Sequence, residues 1–149
     1  MILAILGSRF FQDYPYFKKV VLKTVNIRSV SKIVSGVSPT YTGPGADSLA
    51  VMLASYYNIL YEGYPAKWVN ENGKYDKSAG IKRNITIIDQ VDEVIAFWDG
   101  RTEHCGTYFD INYCKQINKK CHVIKIGSPD FKENLEILKQ REEFMKGKV

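Results

Sequence analysis

Apolar positions in this chain follow two alternating patterns. Short unbroken apolar runs alternate with longer segments in which apolar residues recur every three or four positions. The first pattern is typical of strands covered on both faces and the second of amphipathic helices, so the sequence predicts a parallel α/β fold. The predicted strands are 2–6, 32–35, 58–61, 93–98 and 120–126.

Helices are predicted in the segments between these strands. The first begins at Pro15, the next three cover 46–57, 78–90 and 106–118, and a last one, capped by Ser128, covers 132–149. The segment 62–77 is polar and aromatic with little periodicity, and such a long loop is uncommon in a compact domain unless it is functional. With no repeat or linker, the 149 residues predict one domain.

Composition and charge narrow the class of protein. Hydrophobic residues make up 45% and charged residues 25%, which is ordinary globular usage. No apolar run is long enough to cross a membrane and the N-terminus lacks a signal-peptide pattern, so we expect a soluble cytoplasmic protein without a membrane partner. The net charge of +5 is scattered and no recognition motif accompanies it. It therefore suits an anionic small ligand, and nucleic acid is an unlikely partner.

The three cysteines give no sign of a disulfide framework or a metal site. Cys114 lies on an apolar helical face and Cys121 starts a strand, so we expect both to be buried. Cys105 neighbours His104 in a loop, and this pair could serve as nucleophile and base or as half a metal site. Neither role is favoured, because adjacent residues point in different directions and no second ligand pair is near.

Glycine-rich turns follow three of the predicted strands, and in a parallel sheet ligands bind at those carboxyl ends. The turns contain Gly7-Ser8-Arg9, Gly36 with Gly45-Ala46-Asp47, and Asp99-Gly100 with Gly106-Thr107. Glycine allows close backbone approach, and a helix start offers N–H groups to an anion. Arg9 and Arg83 are candidates for bidentate phosphate contacts, and Asp47 or Asp99 for a ribose hydroxyl. The sequence thus predicts a nucleotide or similar phosphate ligand at this edge.

Two common nucleotide motifs are absent. No GxxxxGK[ST] occurs anywhere, and no GxGxxG follows the first strand. P-loop hydrolysis and dinucleotide oxidoreduction are therefore disfavoured, and no cofactor is expected.

The order of motifs resembles the SLOG superfamily, the Rossmann-like group of the DprA/Smf, LOG and YpsA-like proteins. The resemblance runs over about 2–126 and is closest to the small DUF2493 branch. It rests on the three glycine turns and on Pro65-Ala66-Lys67-Trp68, Gly73-Lys74, Ala79 to Asn84 and Ala96 to Gly100. The chain departs from the pattern of this family in two places. It has a long insertion at 37–44 and an enlarged loop at 101–105.

This resemblance implies a single five-stranded parallel sheet of order 3-2-1-4-5 with helices on both faces. It implies ligand loops at Gly7 to Arg9, Gly36 with Gly45 to Asp47, Arg83-Asn84 and Gly100 to Thr107. It also implies that 65–77 covers the pocket, with Trp68 packing or stacking there. Homo-oligomers are common among such relatives.

Three functions are compatible with this resemblance. The first is binding of a nucleotide-derived ligand for sensing, signalling or sequestration, for example in phage–host conflict. The second is N-glycosidic hydrolysis as in LOG proteins, with Asp110 at the position of their catalytic glutamate and Arg83 as its partner. The alternative is that Asp110 only hydrogen-bonds or faces solvent. The third and weakest is DNA binding of the DprA type. Fold likeness alone does not choose among them.

Overall fold

A five-stranded parallel sheet forms the centre of the molecule, and its order confirms the predicted 3-2-1-4-5 arrangement. The computed structural model describes residues 1–103 and 105–127, so His104 and the predicted C-terminal helix lie outside the described residues. The strands are β1 (Ile2–Gly7), β2 (Lys32–Ser35), β3 (Leu60–Gly63), β4 (Glu93–Trp98) and β5 (Lys120–Lys125). The helices are α1 (Tyr14–Thr24), α2 (Ala46–Tyr57), α3 (Ala79–Gln90) and α4 (Gly106–Gln116).

Local sequence signals explain where the first two helices begin. Asp13 caps α1, because its Oδ1 accepts a hydrogen bond from the backbone N–H of Tyr16 at 3.1 Å, and Pro15 occupies the first turn. Gly45 precedes α2 with a φ of 119°, a conformation that L side chains rarely adopt.

The third strand lies two residues later than predicted. Asn58 takes the left-handed conformation (φ 54°) and ends α2, and the N–H of Ile59 bonds back to Ala54 O at 2.8 Å. Both residues therefore complete the helix terminus, so pairing with β2 begins at Leu60. At the end of α4, Asn118 (φ 58°) similarly stops the helix earlier than predicted.

The core has one layer on each face of the sheet. On one face, α1 and α2 pack Phe17, Val21 and Leu53 against β1, β2 and β4, and Phe17 lies 4.9 Å from the ring of Phe97. On the other face, α3 and α4 contribute a second cluster that includes Ile87, Ile88 and Cys114. Cys114 is buried as predicted, whereas Cys121 is only half-buried because β5 is an edge strand.

The helices are short. Within 1–103 and 105–127, each of them is too short or too polar to cross a bilayer.

Candidate functional site at the carboxyl edge of the sheet

Six polar or charged side chains are buried in the part of the chain that the structure describes, and all six lie at one edge of the sheet. They follow or end the three central strands: Ser8 after β1, Ser35 and Asp47 at the end of β2 and start of α2, and Asp99, Thr107 and Asp110 after β4 and in α4. Burying polar groups is costly unless they are bonded. Their concentration at the carboxyl edge therefore marks the candidate site.

Ser8 and Asp99 join the loops after β1 and β4. The Ser8 hydroxyl donates to Asp99 Oδ2 at 3.2 Å and accepts from the backbone N–H of Phe10 at 3.2 Å. Strand order reverses between β1 and β4, because the chain leaves β1 toward β2 and leaves β4 toward β5. Such a reversal opens the crevice in which parallel sheets bind ligands.

Arg101, which the sequence analysis did not single out, completes this junction. Its backbone N–H donates to Asp99 Oδ1 at 3.1 Å, and its Nε and Nη2 lie 3.0 and 2.9 Å from Asp99 Oδ2. Burial disfavours the Asp99 carboxylate, but the bonds from Arg101 and Ser8 outweigh it and hold the pKa of Asp99 below its usual value. Asp99 therefore accepts hydrogen bonds from within the protein, and its contact with a ribose hydroxyl stays a prediction.

Two guanidinium groups flank the ring of Phe10. The Cζ atom of Arg101 lies 5.0 Å and that of Arg9 lies 5.8 Å from the ring centroid. The predicted phosphate contact Arg9 thus lies near the same aromatic ring as Arg101. An ionised Asp99 compensates one of these two positive charges.

The charged side chains of Asp47 and Arg83 both lie against Gly36. A Cβ at Gly36 would lie 2.6 Å from Arg83 Nη1 and 2.9 Å from Asp47 Oδ2, closer than real Cβ contacts. Asp47 Oδ1 also lies 2.9 Å from the hydroxyl of Ser35, which donates to Ile5 O at 2.6 Å. The glycine is needed here to admit Asp47 and Arg83.

Arg83 connects α3 to the ends of two strands. Its Nη1 donates to Gly36 O at 2.5 Å and to Tyr64 O at 3.1 Å, and its Nε donates to Asn84 Oδ1 at 2.6 Å. These bonds hold the residues that follow β2 and β3 against α3. The predicted site residues Gly36, Asp47, Arg83 and Asn84 are therefore brought together.

Asp110 is the most perturbed acid at this edge. Its side chain is 2% exposed, and Asn84 Nδ2 lies 3.1 and 2.9 Å from its two oxygens. Burial raises the pKa of Asp110 to about 8, against the lowering effect of Asn84 and Arg83, while Asp47 and Cys114 raise it further. The carboxyl is therefore protonated at neutral pH.

The remaining predicted glycines serve different purposes. A Cβ at Gly7 would lie 2.7 Å from Phe97 O, so this glycine permits close packing of β1 on β4. Gly100 has a φ of 90° and turns the chain after β4. The N–H of Ala46 bonds to Ser8 O at 3.1 Å, which packs the start of α2 on the β1 loop. By contrast, a Cβ built at Gly106 meets no atom within 4 Å among residues 1–103 and 105–127, its chain neighbours and the backbone of its own helix set aside.

The segment 64–78 folds against the start of α3. Trp68 stacks on Tyr75 with centroids 5.8 Å apart, and a Cβ at Gly80 would lie 3.1 Å from Trp68 Cη2. The buried Nε1 of Trp68 has no hydrogen-bond partner among the described residues. A cleft of about 540 Å³ lies between this segment and α3, lined among others by Lys67 and Arg83. Trp68 therefore anchors the segment that borders a cleft.

No cluster of three or more potential metal ligands occurs within 1–103 and 105–127. No model of a known protein family matches the sequence, and no curated protein matches it significantly. The fold and the site together define a parallel α/β protein with a buried polar crevice at the carboxyl edge of its sheet.

Proposed function

We propose that the protein binds a nucleotide or nucleotide-derived phosphate ligand at the carboxyl edge of the sheet, for sensing, signalling or sequestration. The observation that carries the proposal is the confinement of all six buried polar side chains, among the described residues, to this edge. The other buried side chains of residues 1–103 and 105–127 are hydrophobic. A polar crevice at the strand-order reversal is the usual ligand site of this architecture.

The charges at the crevice favour an anionic group. Arg9 and Arg101 both lie near the ring of Phe10, and α4 begins at the same edge of the sheet with a glycine beside which the described part of the chain leaves space. Guanidinium groups and helix starts both bind phosphate well. The ring of Phe10 offers a flat apolar surface beside these cations.

Binding is favoured over catalysis by the state of Arg83 and Asp110. Arg83 donates to Gly36 O, Tyr64 O and Asn84, and Asp110 lies almost fully buried against Asn84. In this arrangement Arg83 holds the residues that follow β2 and β3, and Asp110 bonds to Asn84 of α3. A ligand could then be held without a bond being broken.

One observation favours the hydrolase as a second candidate. A carboxyl with a pKa of about 8 carries a proton at neutral pH, as a general acid that protonates a leaving base must. In that function Asp110 would supply the proton and Arg83 would stabilise the adjacent charge. The N-glycosidic bond of a nucleoside monophosphate or related nucleotide would be the target.

Calorimetry tests the binding proposal. Nucleoside monophosphates, NAD-related metabolites and cyclic dinucleotides are titrated into the wild type, Arg9→Ala and Arg28→Ala. Arg28 is an exposed arginine in the turn before β2, at the opposite edge of the sheet, and serves as the matched control. We expect at least one compound to bind, with roughly tenfold or greater loss in Arg9→Ala and no loss in Arg28→Ala. Equal losses in both variants, or no binding by any compound, would contradict the proposal.

Product analysis separates the two candidate functions. The same compounds are incubated with the wild type and Asp110→Asn, and free base is measured by mass spectrometry. Release of base by the wild type alone would establish the hydrolase. Binding without base release would leave the protein a binding module.

A further inference from the structure

A short hairpin with an exposed tip lies within the segment 68–76. Its arms pair through the N–H of Asn70, which donates to Lys74 O at 2.9 Å. The tip is the β-turn 70–73, closed by a hydrogen bond from the Gly73 N–H to Asn70 O at 3.0 Å. All four residues of the turn are exposed, so its backbone and side chains are in contact with water.

Asn72 lies in this turn directly before a glycine that the backbone requires. Of the eight asparagines in the chain, it alone is followed by glycine. Gly73 has a φ of 75°, which L side chains rarely adopt, and a Cβ built there meets no described atom within 4 Å beyond its chain neighbours. The side-chain amide of Asn72 forms no hydrogen bond with residues 1–103 and 105–127. The Gly73 nitrogen is therefore sterically open to the adjacent Asn72 amide.

We propose that Asn72 is a site of spontaneous covalent modification, at which its side-chain amide is converted to a carboxylate. Asparagine is among the thermally labile residues. The Gly73 nitrogen loses its proton and attacks Cγ of Asn72, the Cγ–Nδ2 bond breaks, and ammonia leaves with that proton. Water then adds to one of the two carbonyls of the resulting succinimide and opens the ring. Attack at the side-chain carbonyl gives aspartate, and attack at the main-chain carbonyl gives isoaspartate.

The structure, rather than a following glycine alone, selects Asn72. Asp99 is also followed by a glycine, but its side chain is 4% exposed and accepts hydrogen bonds from Ser8 and Arg101. Against the effect of burial, these bonds hold the pKa of Asp99 below its ordinary value. An ionised carboxylate offers no leaving group for ring closure, so we expect Asp99 to stay unmodified.

One hydrogen bond opposes the reaction at Asn72. The Gly73 N–H must leave Asn70 O before its nitrogen can attack. Bonds at an exposed turn open at a small cost in free energy. We therefore expect the folded protein to react more slowly than a free peptide of the same sequence, by about tenfold at most.

The modification changes the cleft between this segment and α3. Asn72 lines that cleft together with Lys67, Lys82 and Arg83. A carboxylate at position 72 adds a negative charge among these cations and takes one unit from the net charge of +5. Isoaspartate also lengthens the main chain within a turn that hydrogen bonds close. The aged protein therefore differs from the new one in both charge and backbone at the cleft.

Ageing of the intact protein tests the proposal. Wild type and Asn72→Gln are kept at mildly alkaline pH and physiological temperature, beside a synthetic peptide of residues 68–74 that serves as the clock. Samples are digested with trypsin at mildly acidic pH, and mass spectrometry with electron-transfer fragmentation distinguishes aspartate from isoaspartate. Asn72→Gln is the matched control, because glutamine keeps the amide but must close a larger ring, which forms far more slowly.

We expect wild type to gain acidic species in ion exchange and its peptide 68–74 to carry both products at position 72, at no less than about a tenth of the rate of the free peptide. Asn70 in the same peptide and Asp99 in peptide 84–101 should stay unmodified. The Asn72→Gln chain should gain no acid at this position. Slower conversion at Asn72, or equally fast modification of Asn70 or Asp99, would overturn the proposal.

Discussion

Replacing Asp110 with asparagine should change how stability depends on pH. The buried carboxyl has a pKa of about 8 in the folded protein, whereas the ordinary value is 3.8. Between these values the folded chain holds a proton that the unfolded chain has released. The contribution of the Asp110 carboxyl to the free energy of unfolding is therefore fully present below about pH 4 and is lost as pH rises toward 8. The neutral amide of the Asp110→Asn variant would imitate the protonated carboxyl at every pH.

The magnitude follows from proton linkage. One proton difference changes the free energy of unfolding by about 1.4 kcal/mol per pH unit. From about pH 5.5 to about pH 7.5, the stability of Asp110→Asn relative to wild type should thus rise by roughly 2 to 3 kcal/mol. The carboxyls with lowered pKa values, such as those of Asp76 and Asp99, are ionised across this range and do not contribute to the slope.

Urea unfolding monitored by tryptophan fluorescence provides the assay, with both proteins measured across that pH range. Asp89→Asn, which replaces an exposed carboxylate on α3, is the control and should follow the wild-type slope. Parallel pH profiles for wild type and Asp110→Asn would contradict a raised pKa of Asp110. They would mean that Asp110 is ionised in the folded state.

Three further predictions concern the same edge and one surface. Gly36→Ala should lower stability by about 1 to 3 kcal/mol in urea unfolding, because its methyl would meet Arg83 and Asp47, whereas Gly106→Ala should not. Arg101→Ala should destabilise the protein at neutral pH by roughly 1 to 3 kcal/mol, because Asp99 loses its charged partner; the deficit should shrink in acid as Asp99 is protonated. The side chains of Met52 and Tyr56 on α2 are 49% and 65% exposed, and we expect a homo-oligomer to form through them. Met52→Lys should then lower the mass of the particle measured by light scattering. An unchanged mass would exclude this surface as the interface.

Much of the fold could be predicted because its signals are local. Strands β2 and β4 and helix α2 have the predicted bounds, since each has a clear apolar pattern flanked by glycine or polar residues. The error at β3 arose because Asn58 and Ile59 look extended in sequence but complete the end of α2. An asparagine directly after a helical pattern is itself a helix-end signal, and giving it more weight would have moved the predicted start of β3 to Leu60.

The candidate site was predictable only in part. The glycine turns indicated the correct edge, but the bonds of Arg83 to Gly36 and Tyr64 join residues far apart in the chain. Arg101 was missed, although a basic residue two positions after Asp99 in a glycine turn could have suggested an ion pair. The pKa of Asp110 depends on burial, which only the packed structure reveals.

An NMR titration of the ¹⁵N-labelled protein with the compounds used in calorimetry tests the proposed nucleotide site directly. We expect the amides of Ser8, Arg101 and Thr107 to shift together in a saturable manner, and that of Arg28 at the opposite edge to stay unchanged. Saturable shifts confined to the opposite edge, or no shift with any of the compounds, would contradict a nucleotide site at the carboxyl edge.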